Sequence, residues 1–354
     1  MADGQRFADT LEERARELLA EPVHRYVRQG AREGVTAAEA TAAWEAFRLL
    51  PQVLRDVTSV ETATTLLGTP VRSPICVAPT TMQRAAHPDG EVAMARAAAA
   101  SGSLMVLSSN AGSTFEDVAA TGVDWWLQMY VTADRSTCVP LLERAAAAGA
   151  RAVVLTVDTP VVGTKYDGTG PTVWEVAEPE WLRANFPLEY GDAAGDEKAT
   201  DLGPQDVDWL ATTTGLPVVV KGVLRPDDAR RCLDAGAAAV WVSNHGGRQL
   251  DHAAATADCL AAVADAVSER AELYVDGGVR SGLHVLTALA LGARAAFLGR
   301  PPIWALAVDG GAGVERLLGE LADELVDALR LAGCASVARV PRSLLTRPGQ
   351  RPLE

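Results

Sequence analysis

Residues 217–300 read PVVVKGVLRPDDARRCLDAGAAAVWVSNHGGRQLDHAAATADCLAAVADAVSERAELYVDGGVRSGLHVLTALALGARAAFLGR. Four short runs stand out: PVVVKG (217–222), AVWVSN (239–244), LYVDGG (273–278) and AAFLGR (295–300). Each opens apolar throughout, without the alternation of a strand that has one wet face. Between them lie segments of helical spacing, DDARRCLDAGA, CLAAVADAVSE and HVLTALALGA, two of which run into the glycine that commonly ends a helix. Apolar strands joined by helices predict a parallel sheet covered on both faces.

The same rhythm extends upstream through ICVAPT (75–80), SLMVLSS (103–109), WWLQMYV (125–131) and AVVLTVD (152–158), with EVAMARAAAASG, TFEDVAATG, VPLLERAAAAGA and VDWLATTTG as the helical partners. Eight units point to a closed (β/α)8 TIM barrel of the α/β class rather than an open sheet. The reading is one domain spanning residues 1–354. It has a mostly helical N-terminal extension over 1–70 and a final helix in GVERLLGELADELVDALRLAG. Residues 166–205 separate strands four and five by about 40 residues, too long for an ordinary connection, and read as a lid-like loop on the substrate side.

Composition bounds the function. Hydrophobic residues make up 48% and charged residues 22% of 354, which fits a folded globular chain. A net charge of −14 argues against nucleic acid or an anionic membrane as partner. There is no apolar run of ~18 residues and no signal peptide. The five cysteines are scattered, which predicts neither disulfides nor a metal site and suggests the cytoplasm. Among 32 basic residues only Lys165, Lys198 and Lys221 are lysines, so a lysine at a special position is informative.

In such a barrel the chemistry sits where strands end. Thr80 and Thr81, Ser108 and Ser109, Gln128 and Tyr130, Thr156 and Asp158, Lys221, Ser243 to Arg248, Asp276 to Arg280, and Gly299 with Arg300 all fall there. The last two loops, VDGGVRSG and FLGR, combine glycines with Arg280 and Arg300, as a phosphate site does. VSNHGGRQLD (242–251) puts His245 and Arg248 three residues apart beyond strand six. An imidazole is the natural base near neutral pH, and a guanidinium grips a carboxylate with two hydrogen bonds.

SNHGGRQLD, with LLPQVLRDVTSVETATTLLG, APTTMQRAAHPDGE, LQMYV, LTVDTP, VKGV, VDGGVRSG and LGRP, resembles the FMN-dependent 2-hydroxy acid oxidases and dehydrogenases from about residue 20 to the C-terminus. The resemblance implies FMN at the barrel mouth and oxidation of an (S)-2-hydroxy acid, with oxygen or another acceptor taking the electrons. It implies His245 as the base, Asp158 as the carboxylate that orients it, Arg248 on the substrate carboxylate, and Tyr130 and Tyr26 on the substrate. Toward the cofactor it implies Lys221 at the flavin N1/O2 edge, Thr80, Thr81, Ser108, Gln128 and Thr156 around the ring, Asp276 on the ribityl chain, and Gly277, Gly278, Arg280, Gly299 and Arg300 around the phosphate. Ser243 joins the same mouth. A homo-oligomer, a tetramer in the family, is expected.

The chain departs from the family pattern at three places. VDTPVVGTK stands where VDTPRLGRR is usual, so Lys165 falls at a substrate-binding arginine. Asn110 replaces the tryptophan of glycolate-type members, which changes the substrate pocket. Thr81 stands where alanine or glycine packs beside flavin N5, which bears on oxygen access. FMN-dependent oxidation of an amine or modified peptide on the same barrel is the alternative.

Overall fold

The computed structural model describes residues 5–166, 170–178, 181–186 and 196–349. Its centre is a closed barrel of eight parallel strands: β1 (Ile75–Val77), β2 (Met105–Ser108), β3 (Trp125–Met129), β4 (Val153–Thr156), β5 (Val218–Val223), β6 (Ala239–Val242), β7 (Glu272–Val275) and β8 (Ala295–Leu298). Each of the eight apolar runs forms a strand. Neighbours in sequence pair in space, and β8 closes onto β1 through Ala296 opposite Ile75.

Strand periodicity of two divides the core into shells. Trp126, Trp241, Tyr274 and Phe297 face inward and meet across the barrel; the rings of Trp241 and Phe297 are 4.0 Å apart. Their neighbours Trp125, Leu127, Val153, Leu155, Val218 and Val220 face outward onto the helices. On six of the eight strands the inner face turns polar two residues further on: Val106 leads to Ser108, Trp126 to Gln128, Val154 to Thr156, Val219 to Lys221, Trp241 to Ser243 and Tyr274 to Asp276. The apolar barrel filling is thus the floor of a polar mouth.

The N-terminal extension is helical only in part. Helices span Phe7–Leu18, Glu21–Arg28 and Val35–Glu45. After Arg48–Leu49, which pairs with Leu345–Thr346, comes a hairpin of Thr64–Leu66 and Thr69–Val71. Its β-branched threonines and two-residue Leu67-Gly68 turn favour a hairpin over the helix expected through residue 70. Leu66 packs on the barrel's inner cluster and the Leu67 N–H bonds the carboxylate of Glu272, so the hairpin stoppers the end opposite the mouth. The final helix, Arg300–Ala332, begins earlier than its 313–333 pattern suggests and breaks at Asp309 and Gly310. That early start places a helix N-terminus directly after β8. In the long segment after β4 the structure shows a helix turn at Val173–Val176, capped reciprocally by Thr172 and Glu175; residues 167–169, 179–180 and 187–195 lie outside the described residues.

Candidate active site

The strand ends enclose a cavity of about 1000 Å³ including its mouth. Its wall brings together Tyr26 from the Glu21–Arg28 helix, Thr80 and Thr81 after β1, Ser108, Gln128, Tyr130, Thr156 and Lys221. His245, Arg248, Asp276, Gly277, Gly278, Arg280, Gly299 and Arg300 complete it. Asp158 and Ser243 stand just behind this wall, each bonded to a residue in it. Asn110 is attached through its backbone N–H to Ser108 Oγ and Lys165 lies outside the wall.

His245 is the centre of the arrangement. It takes a left-handed φ of 57°, uncommon for a side-chain-bearing residue. Gly247 follows at φ 75°, where a Cβ would come within 2.5 Å of the Ala37 backbone nitrogen, so the second glycine of HGGR is sterically required. His245 Nδ1 lies 2.8 Å from Asp158 Oδ1 and its Nε2 is 3.5 Å from the Tyr130 hydroxyl. Gly222, at φ 112° in a register shift of β5, gives Asp158 its room; a Cβ there would sit 2.7 Å from that of Asp158.

Electrostatics assign the protons. Burial pushes the Asp158 carboxyl up, but His245 and then Lys221 outweigh it and hold it at about 2. Burial draws His245 below its ordinary value, with Asp158 opposing. At neutral pH the pair is an ionised carboxylate beside a neutral imidazole, a poised acceptor of one proton. Burial, followed by the charge of Asp158, raises Tyr130, which therefore keeps its proton and can donate.

A second polar group lines the inner wall. Ser108 Oγ donates to Gln128 Oε1 at 3.1 Å, and Gln128 Nε2 donates to Thr156 Oγ1 at 3.0 Å. Lys221 Nζ donates to Ser243 Oγ at 2.9 Å and pairs with Asp276 Oδ2 at 3.3 Å. A buried ion pair is a poor stabilising device, so its presence in the mouth points to ligand chemistry. Asp276 Oδ1 is buried without a hydrogen-bond partner among the described residues.

Arg280 and Arg300 form no ion pair among the described residues. Burial lowers Arg280 to about 10, and burial plus the charges of Arg248 and Arg280 lower Arg300 to about 9. Two guanidiniums so placed, beside a helix N-terminus, call for an anion. A Cβ on Gly299 would meet no protein atom within 4 Å, so the chain's own packing does not require that glycine. An anion site, a spare acceptor at Asp276, amide and hydroxyl groups, and a cation at Lys221 fit the phosphate, hydroxylated stem and polar ring edge of FMN.

Three contributors escaped the sequence. Thr159 Oγ1 lies 3.1 Å from Asp158 Oδ1 and 3.4 Å from His245 Nδ1; its place beside Asp158 in LTVDTP was the available signal. Trp174 sets its ring edge-on to Tyr26, with centroids 5.7 Å apart. Lys198 places its ammonium 3.7 Å from the Tyr130 ring centroid, and burial lowers it to about 8. The rarity of lysine in this chain was the available signal.

A barrel mouth with an anion cradle, a buried lysine and a carboxylate-backed imidazole defines a cofactor-dependent oxidoreductase. The family model described as FMN-dependent dehydrogenase matches residues 15–347, and the chain belongs to that family, with FMN as its cofactor. It is 40% identical to human "2-Hydroxyacid oxidase 1" over 351 residues, covering 95% of each chain. It is 41% identical to spinach "Glycolate oxidase" over 344 residues, covering 93% of this chain and 92% of that one. A crystal structure of mandelate oxidase with (S)-2-phenylpropionate superposes with a TM-score of 0.87 at 39% identity, covering 96% of this chain and 97% of that one. These relatives do not favour the amine or peptide alternative. All five cysteines are free, and among the described residues no helix is long and apolar enough to cross a membrane.

Proposed function

We propose that this chain oxidises the 2-hydroxyl carbon of an (S)-2-hydroxy acid to the 2-oxo acid, with His245 accepting the proton. The observation that carries the reading is the His245–Asp158 pair at 2.8 Å on a cavity that also holds Arg248 and Lys221. Arg248 grips the substrate carboxylate. Its Nη1 is anchored on the carbonyls of Tyr26 and Gln29 at 2.6 and 3.0 Å, and neither Nε nor Nη2 has a hydrogen-bond partner among the described residues. Tyr26 and Tyr130 donate to the substrate. Asp158 fixes the imidazole tautomer and stabilises the imidazolium that forms.

Bound FMN supplies the two-electron acceptor. Lys221 would face its N1/O2 edge, favouring the reduced ring. Ser108, Gln128, Thr156, Thr80 and Thr81 would surround the ring. Asp276 would take ribityl hydroxyls, and Gly277, Gly278, Arg280, Gly299 and Arg300 the phosphate, with Ser243 holding Lys221 in place.

Lys165 is assigned a supporting part. Its Nζ bonds the carbonyls of Gly163 at 2.6 Å and Arg248 at 2.5 Å, so it reaches the substrate-binding Arg248 through that residue's backbone rather than taking the carboxylate itself. Asn110 widens or polarises the pocket through its place beside Ser108. The described residues around Val173–Val176 cover the substrate side, a reading that Trp174 on Tyr26 supports. The chain works as one unit, because the N-terminal extension supplies Tyr26. We place it in the cytoplasm as a homo-oligomer. The free cysteines support the compartment, and exposed Leu50, Val53 and Leu54 offer apolar surface for contact between copies. Anaerobic mixing with aliphatic and aromatic 2-hydroxy acids tests the activity. Bleaching of the flavin absorbance is expected, and no bleaching with any acid would overturn the reading.

A further inference from the structure

We infer that Thr81 is a positioning residue for the substrate carboxylate, acting by setting the direction of the Tyr26 phenolic proton. The inference rests on the proposed 2-hydroxy acid reading. Thr81 Oγ1 and the Tyr26 hydroxyl are 2.8 Å apart, and both residues line the cavity. They come from distant segments, the exit of β1 and the Glu21–Arg28 helix. Tyr26 is also the platform of Arg248, whose guanidinium carbon lies 4.7 Å from the ring centroid while Nη1 bonds the Tyr26 carbonyl. Trp174 closes against the same ring. Any shift of the phenol is therefore felt at the guanidinium.

A phenol carries one proton. If Tyr26 donates to Thr81, it turns a lone pair toward the cavity and repels a carboxylate. If Thr81 donates to Tyr26, the phenolic proton is released to the carboxylate, and the two hydrogen bonds polarise one another in sequence. An anion held by Arg248 selects the second arrangement. An alanine or glycine at position 81 has no hydroxyl to offer, so this device belongs to the threonine.

Thr81→Val keeps the branched shape and removes the hydroxyl; Thr81→Ser keeps the hydroxyl. The holoenzymes are titrated with benzoylformate and glyoxylate, read from the flavin difference spectrum without turnover, and then assayed with the matching 2-hydroxy acids. Thr81→Val is expected to weaken binding and raise KM about 3- to 10-fold, the worth of one net hydrogen bond, with a smaller effect on kcat. Thr81→Ser restores wild-type affinity. In a Tyr26→Phe background Thr81→Val has no further effect. Unchanged affinity in Thr81→Val, or an equal loss in the Tyr26→Phe background, overturns the inference while leaving the activity standing. A wild-type protein that neither binds the 2-oxo acids nor is reduced by the hydroxy acids overturns both.

Discussion

Asp158 Oδ1 lies 2.8 Å from Nδ1 of His245, which leaves Nε2 as the ring nitrogen on the Tyr130 side of the cavity. The carboxylate accepts the Nδ1 proton, so the free lone pair is on Nε2. The contact thereby selects which nitrogen can act as a base, and Asp158 stays ionised when the ring becomes charged.

Replacing His245 by alanine should leave the FMN-loaded barrel folded, since the imidazole lines the cavity rather than the core. Flavin reduction should slow by about 10²–10⁴-fold, the usual worth of a general base. Anaerobic stopped-flow measures this directly. A variant that bleaches its flavin at the wild-type rate removes His245 from that role.

The pH dependence has a defined sign. Protonation of His245 abolishes the base, so kcat/KM is lost as pH falls through the folded pKa, which burial sets below the ordinary value of about 6.5. The profile should be flat around neutrality, with its acid limb below 6.5. Asp158→Asn removes the charge that opposes burial, so the limb should move further to acid while the rate falls about 10- to 100-fold, as for other orienting partners of functional imidazoles. A limb that moves toward neutral pH contradicts this account.

The barrel was legible because its eight strands open apolar on both faces and recur with helical segments between them. Much of the cavity wall was legible for a related reason: Gln128, Thr156, Lys221 and Asp276 continue the inward parity of Trp126, Val154, Val219 and Tyr274. The hairpin at 64–71 is hard to see within a mostly helical extension because its signal is only a two-residue turn. Thr81 with Tyr26, Lys198 on Tyr130 and Trp174 on Tyr26 each join segments far apart in sequence, a relation that periodicity does not encode. Counting placed Lys165 at the family arginine. It could not show the bonds that Lys165 makes to the carbonyls of Gly163 and Arg248.

Lys165→Met tests that capture. Without the lysine the Arg248 guanidinium still donates to the carbonyls of Tyr26 and Gln29. Loss of the lysine should therefore weaken 2-oxo acid binding by less than the 1.5–3 kcal/mol or so expected for a direct bond to a charged group. Arg248→Met, losing the direct grip, should cost at least that much. If the two variants weaken binding equally, Lys165 contacts the substrate itself.

Oxygen reactivity is the last consequence of Thr81. Its hydroxyl is engaged by Tyr26 at 2.8 Å, so beside bound FMN, where we propose that it packs, the residue would add bulk rather than an uncommitted hydrogen-bonding group. Bulk next to N5 would obstruct the approach of oxygen, and on this proposal the reduced enzyme should reoxidise slowly in air. Thr81→Ala removes the branch and should speed reoxidation. Thr81→Val keeps the branch and should reoxidise at the wild-type rate, although its substrate binding is impaired. The pair of variants separates the steric effect from the hydrogen bond, because only alanine changes the volume. Stopped-flow mixing of the photoreduced proteins with oxygenated buffer gives the rates. An alanine variant that reoxidises no faster than wild type shows that the threonine does not stand in the path of oxygen.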